Sequence, residues 1–307
     1  CLMSRNMQSA QNESEPETRM PSPFDPIAWS LAHGRTLGLG PVARVMAIIN
    51  VTPDSFSDGG LNATTDRAVE SALAAVAAGA DIIDIGGEST RPGAAEISAA
   101  EEQARVLPVI AALAGNSDAL ISIDTYRAET ARMAVAAGAH IVNDVYGLQR
   151  EPSIAAVVAE TGAGVAIMHT GRGRTKHADV VVDQQIFFKS SLELAAGAGI
   201  GHQQIVLDPG FGFNKETTDE NLQLMARFAE LHALGYPLLI GTSRKRFLGA
   251  ITGREPPQRD VATAATSALL RQAGAAVFRV HDVAFNRDAL RVTDAMLTAR
   301  TGKDPRP

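Results

Sequence analysis

The sequence predicts an α/β fold, a (β/α)8 TIM barrel in a single domain, on three observations. From Val45 onward a short strand-like apolar run alternates eight times with an Ala-rich helical run. Several helical runs end in the same device, Ala-Gly-Ala or Leu-Gly, and no linker rich in Pro, Ser or charge interrupts the alternation. Eight strand–helix units with right-handed crossovers close most naturally into a barrel, whereas an open doubly wound sheet usually has fewer units.

The first strand is expected at Val45–Asn50 and its helix at Asp66–Ala78, where Gly79 supplies the left-handed cap that turns the chain back. The second pair is Asp81–Ile85 with Ala99–Leu113, and the third is Ala119–Asp124 with Ala128–Ala137, capped by Gly138. Ile141–Asp144 pairs with Ser153–Glu160, and Gly164–Met168 with Asp183–Ala198. The sixth strand, Gln204–Asp208, feeds Asp219–Leu234, closed by Gly235. Pro237–Thr242 feeds Asp260–Ala273, closed by Gly274, and Ala276–Val280 feeds Ala284–Arg300. The barrel domain is thus expected over residues 24–302, between a disordered polar tail at 1–23 and a short tail at 303–307.

Composition bounds the function. An aromatic content of 5% beside 45% hydrophobic residues suits Ala, Val and Ile packing between helices and strands. Net charge is −6 with Lys and Arg scattered, so no general field would hold a polyanionic backbone, and nucleic acid is not an expected partner. The single cysteine, Cys1, leaves no internal disulfide, thiol chemistry or Cys-based metal site, which fits a reducing, cytoplasmic setting. No run of 18 apolar residues occurs, so no membrane-spanning helix is expected. Residues 1–23 carry Glu13, Glu15 and Glu17 and lack the apolar stretch of a signal peptide.

In a parallel β/α protein the strand C-termini open on one face. Here those ends carry Asn50, Asp124, Asn143, Asp208 and His281. Asp124, Asn143 and Asp208, surrounded by an apolar wall, suit the N–H edge of a flat heterocycle; the competing reading is that Asp124 merely caps the next helix. A cationic group is expected from Lys245, Arg279 and His281, with Arg91 arriving on the second loop. Strand alternation points Arg279 and His281 the same way, toward one target, and a guanidinium can also stack on a planar ring. Arg244 and Arg246 read as a solvated rim. There is no His-x-His, His-Glu-x-x-His or Cys cluster; Asn50, with Asp54 and Asp58, offers hard oxygens for Mg2+ shared with a ligand's phosphates. Asp84 and Glu88 read as partners of Arg91 or as loop caps. His169 reads as support for the barrel mouth, and the basic loop after it as solvated. The connections Thr52–Asn62 and Gly86–Ala95, rich in Gly, Ser, Thr and Pro, read as lids.

Seven ordered motifs then identify a resemblance: Ile49-Asn50-Val51-Thr52-Pro53-Asp54-Ser55-Phe56-Ser57-Asp58-Gly59-Gly60, Gly86-Gly87-Glu88-Ser89-Thr90-Arg91-Pro92-Gly93, Ser122-Ile123-Asp124-Thr125, Asn143-Asp144-Val145, Asp208-Pro209-Gly210-Phe211-Gly212-Phe213, Ser243-Arg244-Lys245 and Arg279-Val280-His281. Together they closely resemble the dihydropteroate synthases, transferases of the folate pathway. The resemblance implies condensation of 6-hydroxymethyl-7,8-dihydropterin diphosphate with 4-aminobenzoate, assisted by Mg2+. It implies that Asp124, Asn143, Asp208 and Lys245 hold the pterin with Arg279 stacked over it. Asn50 would meet Mg2+ and diphosphate, with His281 and Arg91 on phosphate oxygens. Thr90, Arg91, Pro92 and Ser243, walled by Phe56 and Phe213, would receive the aminobenzoate. Asp124, Asp208, Lys245, Arg279 and His281 would carry the catalysis. Sulfonamides compete for the aminobenzoate site across this family, and a homodimer through the late helices is common in it. Gly171-Arg172-Gly173-Arg174 is more basic than in many relatives, and Arg246 stands where several carry Ser. Two other readings are a pterin-binding module of a methyl-transfer system, which needs no aminobenzoate loop, and an idle paralogue; Thr90-Arg91-Pro92 and Ser243-Arg244-Lys245 favour the synthase.

Overall fold

The computed structural model describes residues 22–52, 60–89 and 95–301. An antiparallel hairpin of β1 (Ile27–Ser30) and β2 (Thr36–Leu39) comes first. Eight parallel strands follow: β3 (Arg44–Asn50), β4 (Ile82–Gly86), β5 (Leu120–Asp124), β6 (Ile141–Asp144), β7 (Gly164–Met168), β8 (Ile205–Asp208), β9 (Leu239–Ile240) and β10 (Val277–Val280). They are ordered β8-β7-β6-β5-β4-β3-β10-β9. The single bridge Leu207↔Leu238, with Leu207 N–H donating to the Pro237 carbonyl at 3.0 Å, brings β8 beside β9 and closes the barrel. The connecting helices are α1 (Gly60–Ala77), α2 (Ala99–Asn116), α3 (Ala128–Ala136), α4 (Ser153–Thr161), α5 (Val180–Ala198), α6 (Thr218–Ala226), α7 (Arg246–Thr252), α8 (Asp260–Gln272) and α9 (Val283–Thr301).

The period-2 alternation of the strands sorts their side chains into two cores. Val45, Ala47, Ile83, Ile85, Ile121, Ile123, Val142, Val165, Ile167, Leu207, Ile240, Phe278 and Val280 pack outward against the helices. Met46, Ile82, Leu120, Ile141, Ala166, Val206, Leu239 and Val277 fill the lower barrel. The same count sends Asp84, Asp124, Asn143, Asp208 and Arg279 inward at the top. The hairpin plugs the bottom: Trp29, Leu31, Leu37 and Leu39 are buried in the lower core. Arg271, fully buried, fastens the hairpin's exit by donating to the Gly40 and Pro41 carbonyls while pairing with Asp294 at 2.5 Å.

Three features depart from the sequence expectation. The hairpin falls inside the expected domain but was not foreseen as strands. The seventh strand shrinks to two residues because the backbone beyond Ile240 turns away: Arg244 has φ 56° and its N–H donates to Thr263 Oγ1. A short extra helix, α7, then intervenes before α8 and ends at Gly253, whose φ of 68° gives a left-handed cap. Of the two expected lids, residues 53–59 and 90–94 lie outside the described residues, as do the two tails over 1–21 and 302–307.

Candidate active site

At the C-terminal mouth a pocket is lined by Asn143, Val145, Met168, Asp208, Phe213, Gly241, Lys245 and Arg279. Four strand ends and the segments following β6, β8 and β9 contribute, so the site exists only in the closed barrel. Asp208 Oδ1 accepts the Gly210 N–H at 2.7 Å, which aims the carboxylate inward. Gly210 has φ 64°, and a β-carbon there would sit 2.0 Å from the His169 carbonyl oxygen, so only glycine makes this turn. A β-carbon on Gly241 would lie 3.9 Å from Asp208 Oδ2 and 4.0 Å from Arg279 Cβ, and any larger side chain would fill the pocket.

Arg279 is the organising cation. Its Nε donates to Asp84 Oδ2 and its Nη2 to Asp124 Oδ2, both at 2.6 Å. Asn143 Nδ2 donates to the same Asp84 oxygen at 3.1 Å. Among the described residues Asp84 therefore pairs with Arg279 and Asn143, while Arg91, the partner the sequence suggested, lies outside them. The other Asp84 oxygen is buried and has no hydrogen-bond partner among the described residues. Strand alternation was the available signal: an acid between Ile83 and Ile85 can only face the barrel interior. Asp124 does not cap α3, whose N-cap, Arg127, makes no side-chain cap bond. Glu88 pairs with Arg127 at 2.7 Å.

Burial dominates the electrostatics. It lifts the Asp124 carboxyl to about 7, against the pull of Arg279, and that of Asp208 to about 6. It lowers Lys245 to about 8. The Lys245 ammonium lies 4.0 Å from the centroid of the Phe213 ring, a cation–π contact, and Arg172 stands 5.1 Å from the same ring.

His281 departs from expectation in two ways. It lies one residue beyond β10, so the alternation does not carry over to it, and it lines a separate crevice with Ala74, Ala78, Asp282 and Val283. Ser243 Oγ accepts the His281 backbone N–H at 3.1 Å and is hydrogen-bonded to its Nδ1 at 2.8 Å. Burial, aided by Arg244 and Arg279, pushes the imidazole down to about 3. Burial thus favours the uncharged ring, with its Nδ1 engaged by the Ser243 hydroxyl. Arg244 is not a solvated rim residue: it pairs with Asp260 through two hydrogen bonds of 2.8 Å. Arg246 is exposed.

Asn50 ends β3 opposite Gly86. A β-carbon on Gly86 would lie 3.7 Å from both Asn50 Oδ1 and Asp124 Oδ2, so these two side chains flank one glycine beside the pocket. Phe56, Thr90, Arg91 and Pro92, with Asp54 and Asp58, lie outside the described residues. In the basic loop, Arg174 pairs with Asp183 at 2.6 Å and Lys176 with Glu220 at 2.5 Å. His169 is buried in support of the mouth, as the sequence suggests.

The arrangement offers two carboxylates and an amide to a flat, N–H-bearing ring, with two cations at its side. A family model for pterin binding enzymes matches residues 46–281, and the chain belongs to that family. Dihydropteroate synthase of Escherichia coli (strain K12) is 42% identical over 278 residues, covering 89% of this chain and 98% of its own. The solved dihydropteroate synthase of Xanthomonas albilineans with 4-aminobenzoic acid is 44% identical with a TM-score of 0.83, covering 88% of this chain and 98% of its own. That of Yersinia pestis, in a sulfonamide drug complex, is 41% identical with a TM-score of 0.80, covering 87% and 98%. The chain is a transferase of the dihydropteroate synthase type.

Proposed function

We propose that the chain joins 6-hydroxymethyl-7,8-dihydropterin diphosphate to 4-aminobenzoate, giving 7,8-dihydropteroate and diphosphate by dissociative displacement. The observation that carries this reading is the meeting of Asp84, Asp124, Asn143, Asp208 and Arg279 from five strands at one mouth. Asp208 and Asn143 face the N–H edge of the pterin, with Asp124 behind Arg279. As the methylene C–O bond breaks, positive charge spreads into the pterin ring, and the two ionised carboxylates favour it. Lys245, Arg279 and His281 draw on the departing diphosphate. The weak aniline nitrogen attacks afterwards, so no strong base is needed. Arg91, Thr90, Pro92 and Phe56 keep their proposed places around the aminobenzoate with Ser243 and Phe213, and sulfonamides would compete there.

Mg2+ fits as a shared ion. Among the described residues no three His, Cys, Asp or Glu side chains gather into a metal site, so Asn50 is the proposed protein ligand and diphosphate oxygens and water supply the rest. When bound, the ion supplies neutralisation of diphosphate charge.

Steady-state diphosphate release tests the reading: release should require 4-aminobenzoate, and binding of the pterin diphosphate without turnover would favour a non-synthase pterin-binding module. Asp124→Asn should lower kcat on the order of 10²-fold while changing diphosphate affinity by less than about 3-fold, measured by calorimetry. Equal losses in both would contradict a transition-state role.

We also propose a homodimer through the late helices. Ile251, Val261, Leu269, Phe285 and Val292 on α7, α8 and α9 are more than half exposed, Val261 and Val292 at 71%. Light scattering should give twice the chain mass, and Val261→Glu with Val292→Glu should return it to one. Among the described residues no helix is long and apolar enough to cross a membrane; the cytoplasmic setting rests on composition.

A further inference from the structure

Lys215 is a lysine with its side chain inside the protein, 6% exposed, and it does not line the pocket. Its ammonium group donates to the Gly210 carbonyl at 2.8 Å and to His169 Nδ1 at 3.1 Å. His169 is itself oriented from the far side, its Nε2 lying 2.9 Å from Asp183 Oδ2. Asp183 is an ionised carboxylate, held by Arg174 at 2.6 and 2.9 Å and by the His177 N–H at 2.7 Å. An ammonium group can only donate, so Nδ1 accepts from Lys215, while Nε2 lies between Asp183 Oδ2 and Arg174 Nη2, 2.8 Å away. On the other side Gly210, whose carbonyl takes the Lys215 bond, donates its N–H to Asp208. A polar chain thus runs from the basic loop, through Asp183, His169, Lys215 and Gly210, to the carboxylate in the pocket.

A buried cation with no ion pair among the described residues needs a reason. The charged groups around Lys215 are Asp208, Asp183, Lys176 and Glu220, with the uncharged His169 in contact and Arg174 beyond it. Asp208 is the largest favourable influence on the ammonium, and Lys215 in turn opposes the burial cost of ionised Asp208. Lys245 and Arg279 do the same, but both face the ligand space; Lys215 works from behind.

We propose that Lys215 is a positioning residue, acting through Asp208: it keeps that carboxylate charged, and the turn beneath it in place, for the heterocycle. The inference rests on the proposed function, because it assigns the pterin to Asp208. Removing the charge should raise the Asp208 midpoint by about one pH unit. Burial draws Lys215 down to about 7, so it is charged where Asp208 titrates.

The test uses Lys215→Gln, which keeps a donor for Gly210, and Lys215→Met, which fills the space, each checked for folding by thermal melting. Affinity for the pterin diphosphate is measured by calorimetry from pH 5.5 to 8.5. The ratio of variant to wild-type Kd should be about 10 at the acid end and within about 2 at pH 8.5. A ratio that is constant across the range, as a merely structural role would give, overturns the inference. Carbon-13 NMR of the Asp208 carboxyl reads the same coupling without ligand: a midpoint raised in the variants supports it, and an unchanged midpoint overturns it. Wild-type protein that binds no pterin diphosphate at any pH would overturn the functional reading instead, and leave the NMR titration to decide this one.

Discussion

Asp208→Asn should abolish useful pterin binding and at the same time make the protein more stable at pH 8. The carboxylate is 4% exposed and has no ion pair among the described residues, and burial raises it from 3.8 to about 6. A carboxyl raised in the folded state is comfortable while protonated. Stability is therefore lost as pH rises from the unfolded value through the folded one, and the full cost is carried above about pH 7. The shift corresponds to roughly 3 kcal/mol. Asparagine keeps the acceptor for the Gly210 N–H and removes the charge, so melting of the variant should exceed wild type by a few degrees at pH 8 and match it near pH 4. The function moves the other way. An amide group turned toward the N–H edge of the ring sets donor against donor, and loss of affinity on the order of 10²- to 10³-fold is expected by calorimetry. A variant that binds normally would remove Asp208 from the site.

Arg279→Met should be the most destabilising single change at the mouth. It leaves Asp84, with no exposed surface, and Asp124, at 9%, without their shared cation. Breaking a buried pair from one side costs about 3–5 kcal/mol, far more than the pair itself contributes against an apolar substitute. Urea denaturation at pH 8 should show that loss, and a smaller one near pH 5, where Asp124 is protonated in both proteins. Adding Asp84→Asn to Arg279→Met should recover part of it, because the second change removes one of the two stranded charges. If the single variant is as stable as wild type at both pH values, the Asp84–Arg279–Asp124 bridge does not organise the site.

Both predictions concern residues whose place at the strand ends was legible in the sequence, and whose pterin role the motifs implied, but whose partners were not. The eight runs beginning at Val45 set the barrel, because apolar periodicity and glycine caps are local properties. The hairpin was not legible: Ile27–Ser30 and Thr36–Leu39 are short, and what recommends them is burial against the lower barrel, a long-range effect. Partner choice was likewise hidden. That Asp84 takes Arg279, 195 positions away, follows from barrel closure. His281 misled for a related reason, since alternation ends with the strand at Val280 and the Ser243 hydroxyl then decides how the ring sits. Lys215 gave no periodic signal, lying in the turn-rich segment after β8.

A crystal structure with the pterin diphosphate bound tests the central claim most directly. The pterin ring should lie in the pocket of Asn143, Asp208, Lys245 and Arg279, with its N–H edge within hydrogen-bond reach of Asp208 and Asn143 and its diphosphate toward Asn50 and His281. A ring seated in the crevice between α1 and α9, or a reversed ring with its N–H edge away from the carboxylates, would contradict it.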